Sequence, residues 1–294
     1  MALVDYSDSD SESEQPPPKK TKLTATAAPS LPPLPAAFHD LYASTVRTST
    51  NDDPSLHQGR TRQVPHVAGN WPSHLYMTWH PCAATQALLT SLLTSLKDKL
   101  RPRVQLNTFL TNDLGVPLPL HISLSRPITL TTANKDNFLF QLSTSVSVSG
   151  IKPFDLTCRG VEWHRTEESG RSFLVLRVQS APAIKGSKGV NPELTGLLRR
   201  CNVVVDDYGQ PQLYQWAESG DDEDDENRDE RLGRAFHVSI AWSFAEPSKE
   251  IKRLTEEVFN EPSTQAQIQQ ITIVADGIKA KIGNVVTHIP LPKR

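Results

Sequence analysis

The sequence predicts an α+β fold: two pseudo-symmetric lobes with flanking helices around a central groove. Two observations carry that reading. An order of elements (strand, helix, His-bearing strand, helix, strand) runs through the chain twice, with the strand over "SFLVLRVQS" (172–180) serving both halves. Two segments also match, "LPLHISLSR" (118–126) and "AFHVSIAW" (235–242). Each sets a histidine and, two places on, a serine into an otherwise apolar strand.

The 294 residues are 37% apolar and include five Trp, enough for a real core in one large or two modest domains. No run of about 18 apolar residues exists, so no membrane span is expected. The opening "MALVDYSDSD" lacks the basic-then-apolar order of a signal peptide. Cys82, Cys158 and Cys201 are scattered and odd in number, which argues against a disulfide framework or a Cys-rich zinc site and suits a reducing compartment. The net charge of −2 conceals an asymmetry. Residues 1–15 carry five acids, and residues 221–230 carry eight acids and one Arg. The rest of the chain holds 20 acidic against 30 basic residues. That surplus favours a polyanionic partner.

Residues 1–36 read as a disordered acidic and Pro-rich tail: "DYSDSDSESEQ", "PPPKKTK" and "APSLPPLPAA" are low-complexity. Ser7, Ser9, Ser11 and Ser13 sit among acids and suit an acid-directed kinase. "KKTK" reads either as a short nuclear-import signal or as a solvated linker. Residues 37–294 form the bilobal domain, with globular patterning from about residue 66. "SHLYMTW" is its first strand, preceded by a turn at Gly69–Asn70. "HPCAATQALLTSLLTSLKDKL" is an amphipathic helix with Pro81 in its first turn and Lys97 and Lys99 in its last. After the first His strand comes a helix over "TANKDNFLFQLSTSV", then a hairpin of "FDLTCRGVEWHR" and "SFLVLRVQS" around "TEESGR". "NPELTGLLRRCNVV" is a helix with Asn191 as N-cap and Pro192 at its first position. The second His strand, the helix "SKEIKRLTEEVF" and the strands "QQITIVADG" and "VVTHIPL" complete the chain. Trp71 and Tyr76 read as core aromatics.

Strands alternate faces with period two, so His121 and Ser123 share one face, as do His237 and Ser239. Ile122, Leu124, Val238 and Ile240 point the other way and anchor the strands. If a pseudo-twofold relates the lobes, two imidazoles and two hydroxyls meet in the groove. Such a set suits phosphodiester chemistry on RNA without a metal. One neutral imidazole takes the ribose 2′-OH proton, and the other, protonated, supplies the departing 5′-oxygen. The hydroxyls hydrogen-bond the non-bridging oxygens. A lone strand histidine is ordinarily a satisfied core or surface residue, but of nine histidines only these two have this setting. Two His without nearby carboxylates or thiols make a poor metal site. Arg126, directly after the first motif, is a candidate phosphate contact, with Lys185, Lys188, Arg199 and Arg200 behind it. "AIKGSKGVNP" does not fit a P-loop.

On "HISLS" and "HVSIA" the chain resembles the 2H phosphoesterase superfamily. Through "LVDYSDSDSE", "LHQGRTRQVPHVAGNWPSHLY" and "FHVSIAW" it resembles the U6 snRNA phosphodiesterase family. The resemblance implies two lobes of antiparallel sheet and a nuclear, monomeric 3′–5′ exoribonuclease without cofactor. Its substrate would be the 3′ oligo(U) tail of U6 snRNA, trimmed to a 2′,3′-cyclic phosphate or 3′-phosphate. It places His121, Ser123, His237 and Ser239 on the family's catalytic tetrad and favours His237 as base, which the near-symmetric motifs alone leave open. It also makes Tyr214, in "QPQLYQW", the residue that contacts the terminal nucleotide. The acidic stretch between Tyr214 and His237 exceeds the family's spacing. Residues 218–233 are therefore expected to be a disordered insertion, or else a loop that competes with RNA. A non-catalytic RNA-binding protein, or an enzyme for a small cyclic phosphate or a 2′–5′ linkage, is the alternative on the same residues.

Overall fold

The computed structural model describes residues 67–165, 170–180, 190–215 and 225–293. Its elements run β1 (Asn70–Trp79), α1 (Ala83–Leu100), β2 (Asn107–Thr108), β3 (Leu120–Ser123), β4 (Ile128–Thr131), α2 (Lys135–Ser147), β5 (Phe154–Arg165), β6 (Ser172–Ser180), α3 (Pro192–Asp207), α4 (Asp225–Gly233), β7 (His237–Ser243), α5 (Lys249–Phe259), α6 (Pro262–Gln269), β8 (Thr272–Ala275), β9 (Gly277–Ile282) and β10 (Val285–Pro290). The strands form two antiparallel five-stranded sheets. The first has the order β10-β9-β1-β3 with β4 also on β1; the second is β2-β7-β6-β5-β8. Both sheets alternate as period two demands. In β1, buried Leu75, Met77 and Trp79 alternate with half-buried His74, Tyr76 and Thr78. In β6, Leu174, Leu176 and Val178 enter the main core while Phe173, Val175 and Arg177 point away from it.

Helices cover the apolar faces. α1 packs on α5, α5 and α6 pack on β5, and α2 packs on α3 and β10. One buried hydrogen bond ties helix to sheet: Trp163 Nε1 donates to Thr255 Oγ1 at 2.9 Å. α5 starts on Ser248, whose hydroxyl accepts from the Ile251 amide, the usual N-cap arrangement. No helix among the described residues is long and apolar enough to cross a membrane. The three cysteines are free, with Cys158 and Cys201 buried.

The two lobes are not the two halves of the sequence. β9 and β10 return to pair beside β1, through Ser73–Ile282 to Tyr76–Lys279. β5 instead joins the second sheet through β6 and β8. The strand expected over 269–277 is β8 alone, and a strand the sequence reading does not include, β9, follows it in the other sheet. Pro81 precedes the N-cap Cys82 instead of lying in the first turn of α1. Asn191 does precede α3, but its side chain makes no capping bond. Held at φ 55°, it accepts from the Ser180 amide at 2.5 Å and donates to the Val178 and Gly233 carbonyls at 2.9 and 2.8 Å. One buried amide thus joins β6, α3 and the end of α4. Within the acidic stretch, Asp225–Gly233 is helical, contrary to the expected disorder there. Asp229 pairs with Arg199 and Glu230 with Arg234, so part of that negative charge is met by the chain's own arginines. The 1–36 tail, Lys185 and Lys188 lie outside the described residues.

Candidate active site

The two His strands meet because each has an open edge. β3 ends the first sheet, and β2 covers β7 only at Ala241 and Trp242, leaving His237–Ser239 unpaired on that side. β3 and β7 lie against each other across this gap. Beyond Ser123 the ladder with β1 is interrupted. The Leu124 and Ser125 amides both donate to the Leu75 carbonyl, and Ser125 Oγ accepts from the Leu75 amide at 2.9 Å. Buried Ser125 thus replaces a strand pair and closes β3 just after the motif.

His237 has a fixed tautomer. Its Nδ1 lies 2.8 Å from the Ala235 carbonyl, so the neutral ring carries its proton on Nδ1 and keeps the Nε2 lone pair free. The same carbonyl accepts from Arg177 Nη1 at 3.1 Å and from the Tyr214 hydroxyl at 3.2 Å, and Arg177 Nη1 also donates to the Arg234 carbonyl. Arg177 Nε is held by Glu162 at 2.5 Å. Burial brings the His237 pKa down to about 4. The Ala235 carbonyl partly opposes this, while His164, Arg177 and His121 add repulsion to any proton placed there. His121 remains accessible to solvent as a residue, but its ring packs by His74 and Tyr76, and partial desolvation lowers its pKa too. The His121 contribution at His237 puts the two imidazoles in one electrostatic neighbourhood. Ser123 and Ser239 are half-buried, and neither hydroxyl has a hydrogen-bond partner among the described residues.

Each expected histidine is backed by another that the motif search passes over. His74 lies edge-on to His121 with ring centroids 5.4 Å apart, and stacks with Tyr76 at 5.2 Å. His164 lies 5.4 Å from His237. Burial, helped by His121, brings the His74 pKa to about 4, and burial with Arg177 lowers that of His164. The signal for His74 was present in the period of β1, where His74, Tyr76 and Thr78 form one polar face opposite Leu75 and Met77. Lys279 and Lys281 stand across from Tyr76 and His74 on β9 and bring positive charge to the same face.

The remaining candidates are placed as follows. Tyr214, at φ 58°, is half-buried: it packs against the core, edge-on to Phe236 at 6.0 Å, and burial raises its pKa. Its hydroxyl donates to the carbonyl that orients His237. Arg126 is half-buried directly after the Ser125 corner, its own carbonyl accepting from Ser125 Oγ. Arg199 and Arg200 sit on α3, bound to Asp229 and to the Ser145 carbonyl. Trp71 and Tyr76 are not core residues. Trp71 is exposed with Nε1 on Thr132, and Tyr76 faces His121 at 5.4 Å.

Over residues 32–290 the chain matches the HVSL family, described as an uncharacterised conserved protein. It is 43% identical over 288 residues to U6 snRNA phosphodiesterase 1 of Neurospora crassa, covering 90% of this chain and 76% of that protein. Against U6 snRNA phosphodiesterase 1 of Drosophila melanogaster the identity is 27% over 249 residues, covering 82% of each. Among solved structures, Kluyveromyces marxianus Usb1 with uridine monophosphate shares the fold at a TM-score of 0.50. It is 14% identical and covers 75% of this chain and 98% of that one.

Proposed function

The chain belongs to the HVSL family and to the family of the U6 snRNA phosphodiesterase 1 proteins, and on that premise we propose that it is a phosphodiesterase that processes the 3′ end of U6 snRNA. In the finer reading it is a 3′–5′ exoribonuclease that acts in the nucleus as a monomer. Residues 37–294 form its catalytic domain behind the 1–36 tail. The observation that carries the chemistry is the fixed tautomer of His237, which shares a strand face with Ser239 and lies within electrostatic reach of His121, the Ser123 and Ser239 hydroxyls having no partner among the described residues.

His237 Nε2, neutral and unprotonated, removes the proton from the 2′-OH upstream of the scissile phosphate. O2′ attacks phosphorus and the P–O5′ bond breaks, while His121, protonated, delivers its proton to the departing O5′. The products are an RNA shortened by one nucleotide with a 2′,3′-cyclic phosphate, and a fragment with a free 5′-OH. Ser123 and Ser239 donate to the non-bridging oxygens, where charge builds in the transition state. Both imidazole pKa values are low in the free protein; an arriving phosphate adds negative charge and raises them, which favours the protonated form needed at His121. Arg126, Lys279 and Lys281 are suited to the RNA backbone. The uridine nucleotide named with the Kluyveromyces structure is consistent with a uridine-rich substrate.

The test is to incubate the purified protein, in EDTA, with an RNA ending in 3′ oligouridine. Stepwise shortening from the 3′ end with a cyclic or 3′-phosphate terminus is expected. Full-length RNA persisting would overturn the reading.

A further inference from the structure

On the same face of the second sheet as Ser239, an aromatic shelf carries an arginine laid over it. We propose that this shelf is a stacking subsite for the base of one of the two nucleotides flanking the scissile phosphate; the proposal rests on the RNA phosphodiesterase reading above.

The strand register places the shelf. Val175 stands opposite Ser239, and two residues earlier on β6 Phe173 occupies the same face, opposite Trp242 on β7 and His164 on β5. At the rise of a strand, Phe173 lies about 7 Å along the groove from the Ser239 row. The Phe109 ring runs nearly parallel to it, 12° apart with centroids at 6.2 Å. The Arg171 guanidinium lies 5.2 Å from the centre of Phe173 and 5.5 Å from that of Trp242. Phe244 meets Trp242 edge-on at 5.1 Å and is 53% exposed. Val175 and Trp242 are buried yet stand outside the main core cluster, so they form the floor of the groove face.

Phe109, Phe173 and Arg171 are half-buried, so a flat ligand can reach them. A planar guanidinium over aromatic rings accepts a nucleobase through stacking and at the same time supplies positive charge near phosphate. Phe173 and Trp242 share the row two places along β6 from the Val175–Ser239 pair, and of the two only Phe173 is not fully buried. Stacking of this kind accepts any base, so the shelf contributes affinity without strong base preference.

The probe is a fluorescent single-stranded oligouridine carrying a 2′-deoxy residue upstream of the scissile phosphate, which the proposed chemistry cannot cleave. Its affinity is compared with that of versions abasic at each flanking position, for the wild-type protein and for Phe173→Leu, Arg171→Gln and Phe173→Tyr. Removing the base at one position should weaken wild-type binding about tenfold. Phe173→Leu should weaken the intact oligomer by a similar factor and the abasic one not at all, with Phe173→Tyr restoring affinity and Arg171→Gln giving a partial loss. If Phe173→Leu weakens intact and abasic oligomers equally, or neither, the shelf holds no base and the proposal falls. Cleavage of the all-ribose oligomer, followed in parallel, tests the enzymatic reading separately: cleavage with equal ratios overturns the shelf alone.

Discussion

Acid should destabilise this protein through the histidines of its groove, and the size of the effect follows from two residues. His74 and His237 titrate near 4 in the folded chain, against about 6.5 in an unfolded one. A histidine with a depressed pKa contributes its full stability above pH 6.5 and loses it as pH falls towards 4, because the unfolded chain binds the proton first. From pH 7.5 to 4.5 a drop of that size costs about 2.5 kcal/mol per group. Both rings are half-buried and keep some water, so about 2 kcal/mol each is the working figure, or about 4 kcal/mol for the pair. The perturbation is His74→Gln, which removes one titration from a residue outside the tetrad. Urea unfolding followed by Trp fluorescence at pH 7.5, 6.5, 5.5 and 4.5 gives the free energies. The variant should lose about 2 kcal/mol less than the wild type over that range, the carboxylates cancelling in the comparison. Parallel curves would refute the account of His74 as a neutral, dehydrated ring.

Other outcomes follow from the same geometry. His121→Ala and His237→Ala should each lower kcat/KM by about 10²–10⁴-fold in a gel-based trimming assay, with thermal unfolding still cooperative. Ser123→Ala and Ser239→Ala should lower kcat about 10–10³-fold with little change in KM, if their hydroxyls act on charge that develops in the transition state. The pH profile of kcat/KM should be bell-shaped, its acid limb near pH 4 where His237 gains a proton and its alkaline limb below 6.5 where His121 loses one. The limbs of kcat should lie higher, since bound phosphate raises both. Asn191→Ala strands the Ser180 amide and the Val178 and Gly233 carbonyls; a loss of about 2–4 kcal/mol in urea unfolding is expected.

The His strands could be read from the chain because their information is local. His121 with Ser123, and His237 with Ser239, declare a face by period two, and Ile122 and Val238 declare the opposite one. The membership of β9 and β10 in the first sheet could not be read this way. Their pairing with β1 spans about 200 residues, and Ile282 or Ala280 would suit either core equally well. His164 is hidden for a similar reason. It stands at the end of a hairpin, and its ring lies by His237, on a strand that β6 separates from its own, a proximity no local pattern announces. Tyr214 stands 23 residues before His237, and its hydroxyl reaches the Ala235 carbonyl, a contact that its place in the sequence does not announce. Helix α4 was masked by composition: "DENRDERLG" reads as a solvated charge run until Arg199, on another helix, is seen to pair with Asp229.

The central claim is that an imidazole pair drives attack by the 2′-OH, and one measurement addresses it directly. Two oligouridine-ended RNAs, identical except for a single 2′-deoxy residue upstream of the scissile phosphate, are incubated with the protein in EDTA. The account predicts that the all-ribose RNA is shortened to a 2′,3′-cyclic phosphate while the deoxy RNA binds and stays intact at that bond. Cleavage of both at comparable rates would contradict it.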